Sequence, residues 1–209
     1  MLHKNTLSEN TLELLITLQQ DEVLKGFFLA GGTSLALQIG HRISIDLDLF
    51  SLSGFDSTLM LEHLEQTYEF QLDYSALNTL KGSIQNIKVD FISHRYPLVN
   101  PILEVEKTKL YGISDIAAMK LNAIALNGTR SKDFIDVYFI LKKLSLNDIL
   151  QAYKKKYKSR NLLHIVKSLN YFGDINIQDW PDMVLEKDLT LAQVKRSISK
   201  HVVRFSEGI

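Results

Sequence analysis

The chain has 209 residues, 45% of them apolar, with 24 Lys plus Arg against 24 Asp plus Glu. That is material for one large or two small domains, and it excludes a globally basic nucleic-acid binder. There is no cysteine, which removes disulfides, thiolate metal sites and cysteine nucleophiles together. The N-terminal stretch lacks the apolar run and cleavage site of a secretory signal, and nothing approaches membrane-spanning length, so a cytoplasmic protein with no membrane contact is expected.

In chain order, residues 8–24 repeat leucine at helical spacing (Leu12, Leu15, Leu18), with Ser8 or Asn10 as cap. Residues 27–30 read as a short apolar strand ending at Gly31-Gly32, and 33–40 as a short helix stopped by Gly40. Residues 43–50 alternate Ile43, Ile45, Leu47 and Leu49 against Ser44, Asp46 and Asp48, the period of a strand. A helix follows over 57–68. Residues 70–80 and 83–93 form a hairpin turning at Lys81-Gly82. Pro97 and Pro101 bracket the best boundary, dividing the chain into domains 1–96 and 97–209. Beyond it the pattern is almost wholly helical, over 114–127, 132–144, 146–158, 161–172 and 190–205. The fold class expected is α+β: a small mixed sheet flanked by helices, followed by a C-terminal helical bundle.

The chemistry concentrates on two strands. Residues i and i+2 of a strand share a face, so Asp46 and Asp48 project together while Ile45, Leu47 and Leu49 fill the other side. Two adjacent carboxylates repel, and a divalent cation removes that penalty; Mg²⁺ suits one or two carboxylates with waters and substrate phosphates. "NIKVDFIS" is a second alternating strand carrying Asp90. If the strands are neighbours, Asp46, Asp48 and Asp90 converge as metal ligands, with Asp90 as third ligand or base. Gly31-Gly32 ends a strand and opens a helix, where free amides attract anions, and Thr33 and Ser34 add hydroxyls, so these four are read as a triphosphate cradle. The Walker lysine and the G-x-G-x-x-G fingerprint are both missing. Each feature alone is commonly a turn or a solvated strand edge; the ordered set is what points to NTP chemistry.

"GGTS", "DLDLF" and "KVDFI" together resemble the nucleotidyltransferase superfamily signature of a G-[GS] turn, a D-h-D strand and a later strand Asp. More narrowly, "LAGGTSLALQIGHRISIDLDLFS" is similar to the AbiEii/AbiGii toxin family, over roughly residues 25 to 144. The resemblance implies a DNA polymerase β-like fold and Mg²⁺-dependent transfer of a nucleotide from NTP to tRNA, another RNA or another hydroxyl acceptor. It also implies the toxin of a toxin–antitoxin, abortive-infection pair, with a cognate antitoxin protein as partner. It places Lys120 in the family's third motif and Asp133 and Asp136 in its fourth. Lys120 independently falls on an apolar helix face among Ile113, Ile116 and Ile124, aimed at the triphosphate or snorkelling outward. Asp133 is a nucleotide ligand or a helix-terminal carboxylate; Asp136 is catalytic or a solvated helix residue. Arg42, in the "HRISID" context, contacts nucleotide phosphate or pairs with a neighbouring aspartate. Lys154, Lys155, Lys156, Lys158 and Arg160, interleaved with Tyr153 and Tyr157, form either an RNA-binding run or a solvated helix face. Two further readings remain: an NTP-binding module acting through protein partners, and a transferase acting on a protein or small molecule.

Overall fold

The computed structural model describes residues 1–207. A seven-stranded mixed sheet runs through the first half of the chain, in the order β3-β4-β5-β2-β1-β7-β6. The strands are β1 (Phe27–Leu29), β2 (Leu47–Ser51), β3 (Gln71–Ala76), β4 (Thr79–Ile84), β5 (Ile87–Ser93), β6 (Leu103–Val105) and β7 (Thr108–Leu110). One face, built from Leu29, Leu47, Leu49, Leu80, Val89, Phe91 and Leu110, packs on α1 (Glu9–Gln20) and α3 (Ser57–Tyr68). Ser8 caps α1 by accepting the Thr11 amide, and Asp56 caps α3 through the Thr58 and Leu59 amides.

The other face of the sheet meets α2 (Gly31–Ile39) and the helical part of the chain. That part comprises α4 (Ile113–Leu126), α5 (Ser131–Ile140), α6 (Leu146–Tyr157), α7 (Leu163–Leu169) and α8 (Leu191–Glu207). Leu35 and Ile39 of α2 join Ile116, Leu121, Phe134, Ile149 and Val194 in a second core. Strand alternation sends Leu47 and Leu49 into the first core and turns Asp48 and Phe50 toward the helices. Among the described residues no helix is long and apolar enough to cross a membrane.

Three expectations about elements are corrected. The strand expected over 43–50 begins only at Leu47, because Ile43 and Ser44 give their amides to Asp182 and Thr6 in loops. Ile45 is therefore 68% exposed instead of filling the face opposite the acids. The hairpin expected over 70–93 is a three-stranded meander. Its turns fall at Asn78 and at Gln85-Asn86, all with positive φ, and Lys81-Gly82 lies mid-strand. Gly82 is there because a Cβ would stand 2.1 Å from the Gln71 carbonyl oxygen, beside the register shift between Leu72 and Tyr74. The chain after the prolines is not purely helical: β6 and β7 form a hairpin, and Leu110 pairs in parallel with Leu29, extending the sheet. β6 and β7 are three residues each and mix charged with apolar residues, so unlike the apolar β1 they carry no strand signal in the sequence.

Candidate active site

A cleft of about 680 Å³ opens between the helix-facing side of the sheet and the N-terminal ends of α2 and α5, with α4 along one wall. The turn from β1 into α2 forms part of it. Gly31 has φ +64°, and a Cβ there would meet Asp48 Oδ2 at 2.0 Å; at Gly32 a Cβ would meet Arg42 Nη2 at 2.0 Å. Both glycines are thus demanded by side chains packed against them. The first α2 amides have no intrahelical acceptor and sit at the positive end of the helix.

Asp48 and Asp90 are direct register partners on the parallel strands β2 and β5, and Lys81 of β4 is the partner of Asp90 on its other side. Lys81 Nζ lies 2.7 Å from Asp90 Oδ2. The Asp48 backbone carbonyl accepts from the Ala30 amide, but its carboxylate has no hydrogen bond or ion pair among the described residues. Burial and the neighbouring charge of Asp90 push its carboxyl up, against an opposing pull from Lys120. Asp46, just ahead of β2, has Lys132 Nζ at 3.8 Å from Oδ2, and its carbonyl accepts from the Thr33 hydroxyl. Arg130, Lys132, Lys81 and Lys88 add positive charge around these acids, while Phe50, Ile92, Ile116, Met119 and Tyr157 make the rest of the cleft apolar. His94 stands among Phe50, Tyr96 and Tyr157; burial, then the Lys156 charge, pushes it down to about 4, so it is neutral at cellular pH.

At the floor of the cleft and beneath it lies a charge-paired network, in which the buried His41 Nδ1 and Asp133 Oδ2 have no hydrogen-bond partner among the described residues. Asp136 is fully buried and takes a two-pronged bond from Arg42 (Nε 2.7 Å, Nη2 3.0 Å). It also contacts His41 Nε2 at 2.8 Å and Lys120 Nζ at 2.7 Å, and Lys120 reaches Asp133 at 2.6 Å. Burial opposes ionisation of Asp136, yet Arg42 and Lys120 outweigh it and hold the carboxyl well below its ordinary value. Burial works against Arg42 and Lys120 too, and the acids win again, raising both. His41 is pushed down by burial.

The model of the family described as the nucleotidyl transferase AbiEii toxin, type IV toxin–antitoxin system, matches residues 13–70 and 62–204. The chain belongs to the AbiEii nucleotidyltransferase toxin family. An uncharacterised protein of Aquifex aeolicus is 36% identical over 171 residues, covering 77% of this chain and 81% of that protein. The fold is shared with a Helicobacter pylori protein assigned to the nucleotidyltransferases (TM-score 0.58, 15% identity, 96% of each chain). It is shared also with the antibiotic-resistance factor ANT(2'')-Ia (TM-score 0.56, 11% identity, 72% of this chain and 91% of that one). The protein is a nucleotidyltransferase of the polymerase β-like fold, and the family match reaches well past the 25–144 stretch on which the resemblance was first read.

The expected site residues divide. Gly31, Gly32, Thr33, Arg42, Asp46, Asp48, Asp90, Lys120 and Asp133 all line the cleft. Ser34 does not: it is fully buried and donates to the Tyr111 carbonyl at 3.0 Å. Asp136 lies below the cleft rather than in it, as neither a solvated helix residue nor one open to substrate. Arg42 pairs with Asp136 on α5, not with Asp46 or Asp48, and Lys120 turns inward rather than snorkelling. The basic run is broken up. Lys156 is fully buried and paired with Asp115 at 2.8 Å, Lys155 donates to the Val99 carbonyl, and Tyr153 is buried; Lys154, Lys158 and Arg160 stay exposed. Asp115 also accepts the Val99 and Asn100 amides, so that pair anchors the proline segment to α4 and α6.

The donors facing the cleft are carboxylate oxygens, the hard ligands that Mg²⁺ takes. The uncompensated Asp48 beside Asp46 fits such an ion. The expected convergence of all three acids is looser than foreseen: among the described residues no three acidic or histidine side chains stand close enough to enclose one ion. Arg130 and Lys132, which the sequence offers as surface residues able to touch phosphate, line the cleft. Lys81 and Lys88 do so without a sequence expectation: the alternation that puts Lys88 on the face of Asp90 is the signal for Lys88, and the misplaced turn hides Lys81.

Proposed function

We propose that the protein transfers a nucleotide from an NTP to a hydroxyl acceptor, with RNA ends such as those of tRNA as the acceptor class, and acts in the cytoplasm as the toxin of a pair restrained by a cognate antitoxin protein. The observation that carries the reading is Asp48: a carboxylate short of positive charge, packed on Gly31 at the start of α2, beside Asp46 and in register with Asp90. Asp46 and Asp48 would hold Mg²⁺, which bound there would neutralise both acids and draw electron density from the α-phosphate.

The chain's own groups supply the rest. The first amides of α2 face the triphosphate, favoured by the helix dipole. Lys120 and Arg42 are matched by Asp133 and Asp136, so compensation of the phosphates falls to Arg130, Lys132 and Lys88 at the cleft. The acceptor oxygen bonds to the α-phosphorus as the bond to the pyrophosphate oxygen breaks; that electron pair leaves with pyrophosphate, and the hydroxyl proton passes to solvent water. Residues 97–209 act as the helical domain that completes the cleft, through α4 and α5.

The test is incubation of the purified chain with Mg²⁺, each α-labelled NTP and total tRNA. Label should enter RNA and disappear in Asp46→Ala and Asp48→Ala, which should also relieve growth arrest on expression. No transfer to any acceptor, with toxicity unchanged in both variants, overturns the proposal.

A further inference from the structure

Lys81, which sequence spacing places in a turn, sits mid-strand with its ammonium on Asp90. Two features fix it there. The alternation of β4 sends Leu80, Gly82 and Ile84 into the core and turns Lys81 to the cleft. The two-residue turn at Gln85-Asn86, both with positive φ, closes β4 on β5 with Ile84 opposite Ile87, so Lys81 falls directly across from Asp90. The row Lys81–Asp90–Asp48 therefore runs across three strands, with the cation at its outer end. Asp90 Oδ2 is engaged by Lys81, while among the described residues the Asp48 carboxylate has no partner and no three acids cluster around one point.

We propose that Lys81 is a positioning residue that draws Asp90 away from Asp46 and Asp48, splitting the three acids into a cation-holding pair and a separate carboxylate that orients the acceptor hydroxyl. Asp90 Oδ1, which Lys81 leaves open, accepts the hydrogen bond of that hydroxyl. An ion-paired carboxylate is a weak base, so its contribution is alignment of the attacking oxygen. The inference rests on the transferase reading above, and it has a readout independent of turnover.

The experiment titrates Mn²⁺ into the full chain by calorimetry, with and without ATP, and compares variants. Asp48→Asn should lose Mn²⁺ binding and Asp90→Asn should keep it. Lys81→Met removes a cation and frees Asp90 to turn inward, so Mn²⁺ should bind about fivefold more tightly; Lys81→Arg should match the unmodified chain. In tRNA labelling, Lys81→Met should lower kcat about 10²-fold with Lys81→Arg restoring most of it. The tightening should vanish when Lys81→Met is combined with Asp90→Asn, whereas loss of the charge of a purely structural lysine would tighten binding in that background too. Loss of Mn²⁺ in Asp90→Asn to the extent seen in Asp48→Asn overturns the proposal. So does unchanged or weaker binding in Lys81→Met, or no Mn²⁺ uptake by the unmodified chain in either condition. Failure of the unmodified chain to label any acceptor would instead sink the transferase reading, and the Mn²⁺ arm would still decide where Asp90 belongs.

Discussion

Two groups of acids lie one above the other and are treated in opposite ways. At the cleft floor and just below it, Asp133 and Asp136 face Arg42 and Lys120, two charges against two, with His41 adding a further contact to Asp136. In the cleft, Asp46 has a lysine at 3.8 Å, Asp90 has Lys81, and the Asp48 carboxylate has no partner among the described residues. The lower group is a finished structure tying the loop before β2 to α4 and α5. The upper group is unfinished in the sense that its charge calls for an outside cation. Removing one member of the lower group should therefore be the most damaging change. Asp136→Ala strands the buried Arg42 and leaves Lys120 with Asp133 alone, and should cost about 3–5 kcal/mol in urea denaturation. Its pH dependence has a definite sign: the Asp136 carboxyl is held below its ordinary value of 3.8, so its stabilisation is complete above that value and is lost as pH falls through the lowered one. If Asp136→Ala unfolds at the urea concentration of the unmodified chain, the lower group is not the brace described here.

The glycine turn couples the two groups, because Gly31 is pressed by Asp48 of the upper one and Gly32 by Arg42 of the lower one. Gly31→Ala forces a side chain into φ +64° and against Asp48 Oδ2. A destabilisation of about 1–3 kcal/mol is expected, together with loss of nucleotide transfer as Asp48 is displaced. A variant with unchanged melting and unchanged labelling would separate the turn from the acids.

Much of this was legible in the sequence, and the reason for each success or failure is local. β2 and β5 announce themselves because one face of each is leucine, valine or phenylalanine, so an Asp on the other face stands out. Gly31-Gly32 marked the start of α2 through its break in the apolar strand. The partners of Arg42 and Lys120 were not legible: Asp136 is far along the chain, and nothing in "RSKDFIDVYFIL" distinguishes a buried acceptor from a solvated one. The lysine run read as a surface because Asp115, which buries Lys156, belongs to another helix. Lys81-Gly82 read as a turn because a glycine needed for close strand packing looks the same, in sequence, as one needed for positive φ.

The smallest expected effect carries the opposite sign and sharpens the contrast most. Burial and the charge of Asp90 raise the Asp48 carboxyl above its ordinary value of 3.8, so the folded chain binds that proton more tightly than the unfolded chain does. Stability then falls as pH rises from that ordinary value through the raised one, and the deficit is complete above it. Asp48→Asn removes the charge while keeping the shape. It should gain about 1 kcal/mol at neutral pH in urea denaturation without metal, and the gain should close as pH drops below the ordinary aspartate value. The same substitution should abolish nucleotide transfer, so activity and stability move in opposite directions at one residue. Added Mg²⁺ should narrow the difference by stabilising the unmodified chain alone. An Asp48→Asn chain less stable than its parent at every pH would mean that Asp48 is part of the brace after all, and the distinction between the two groups would fall.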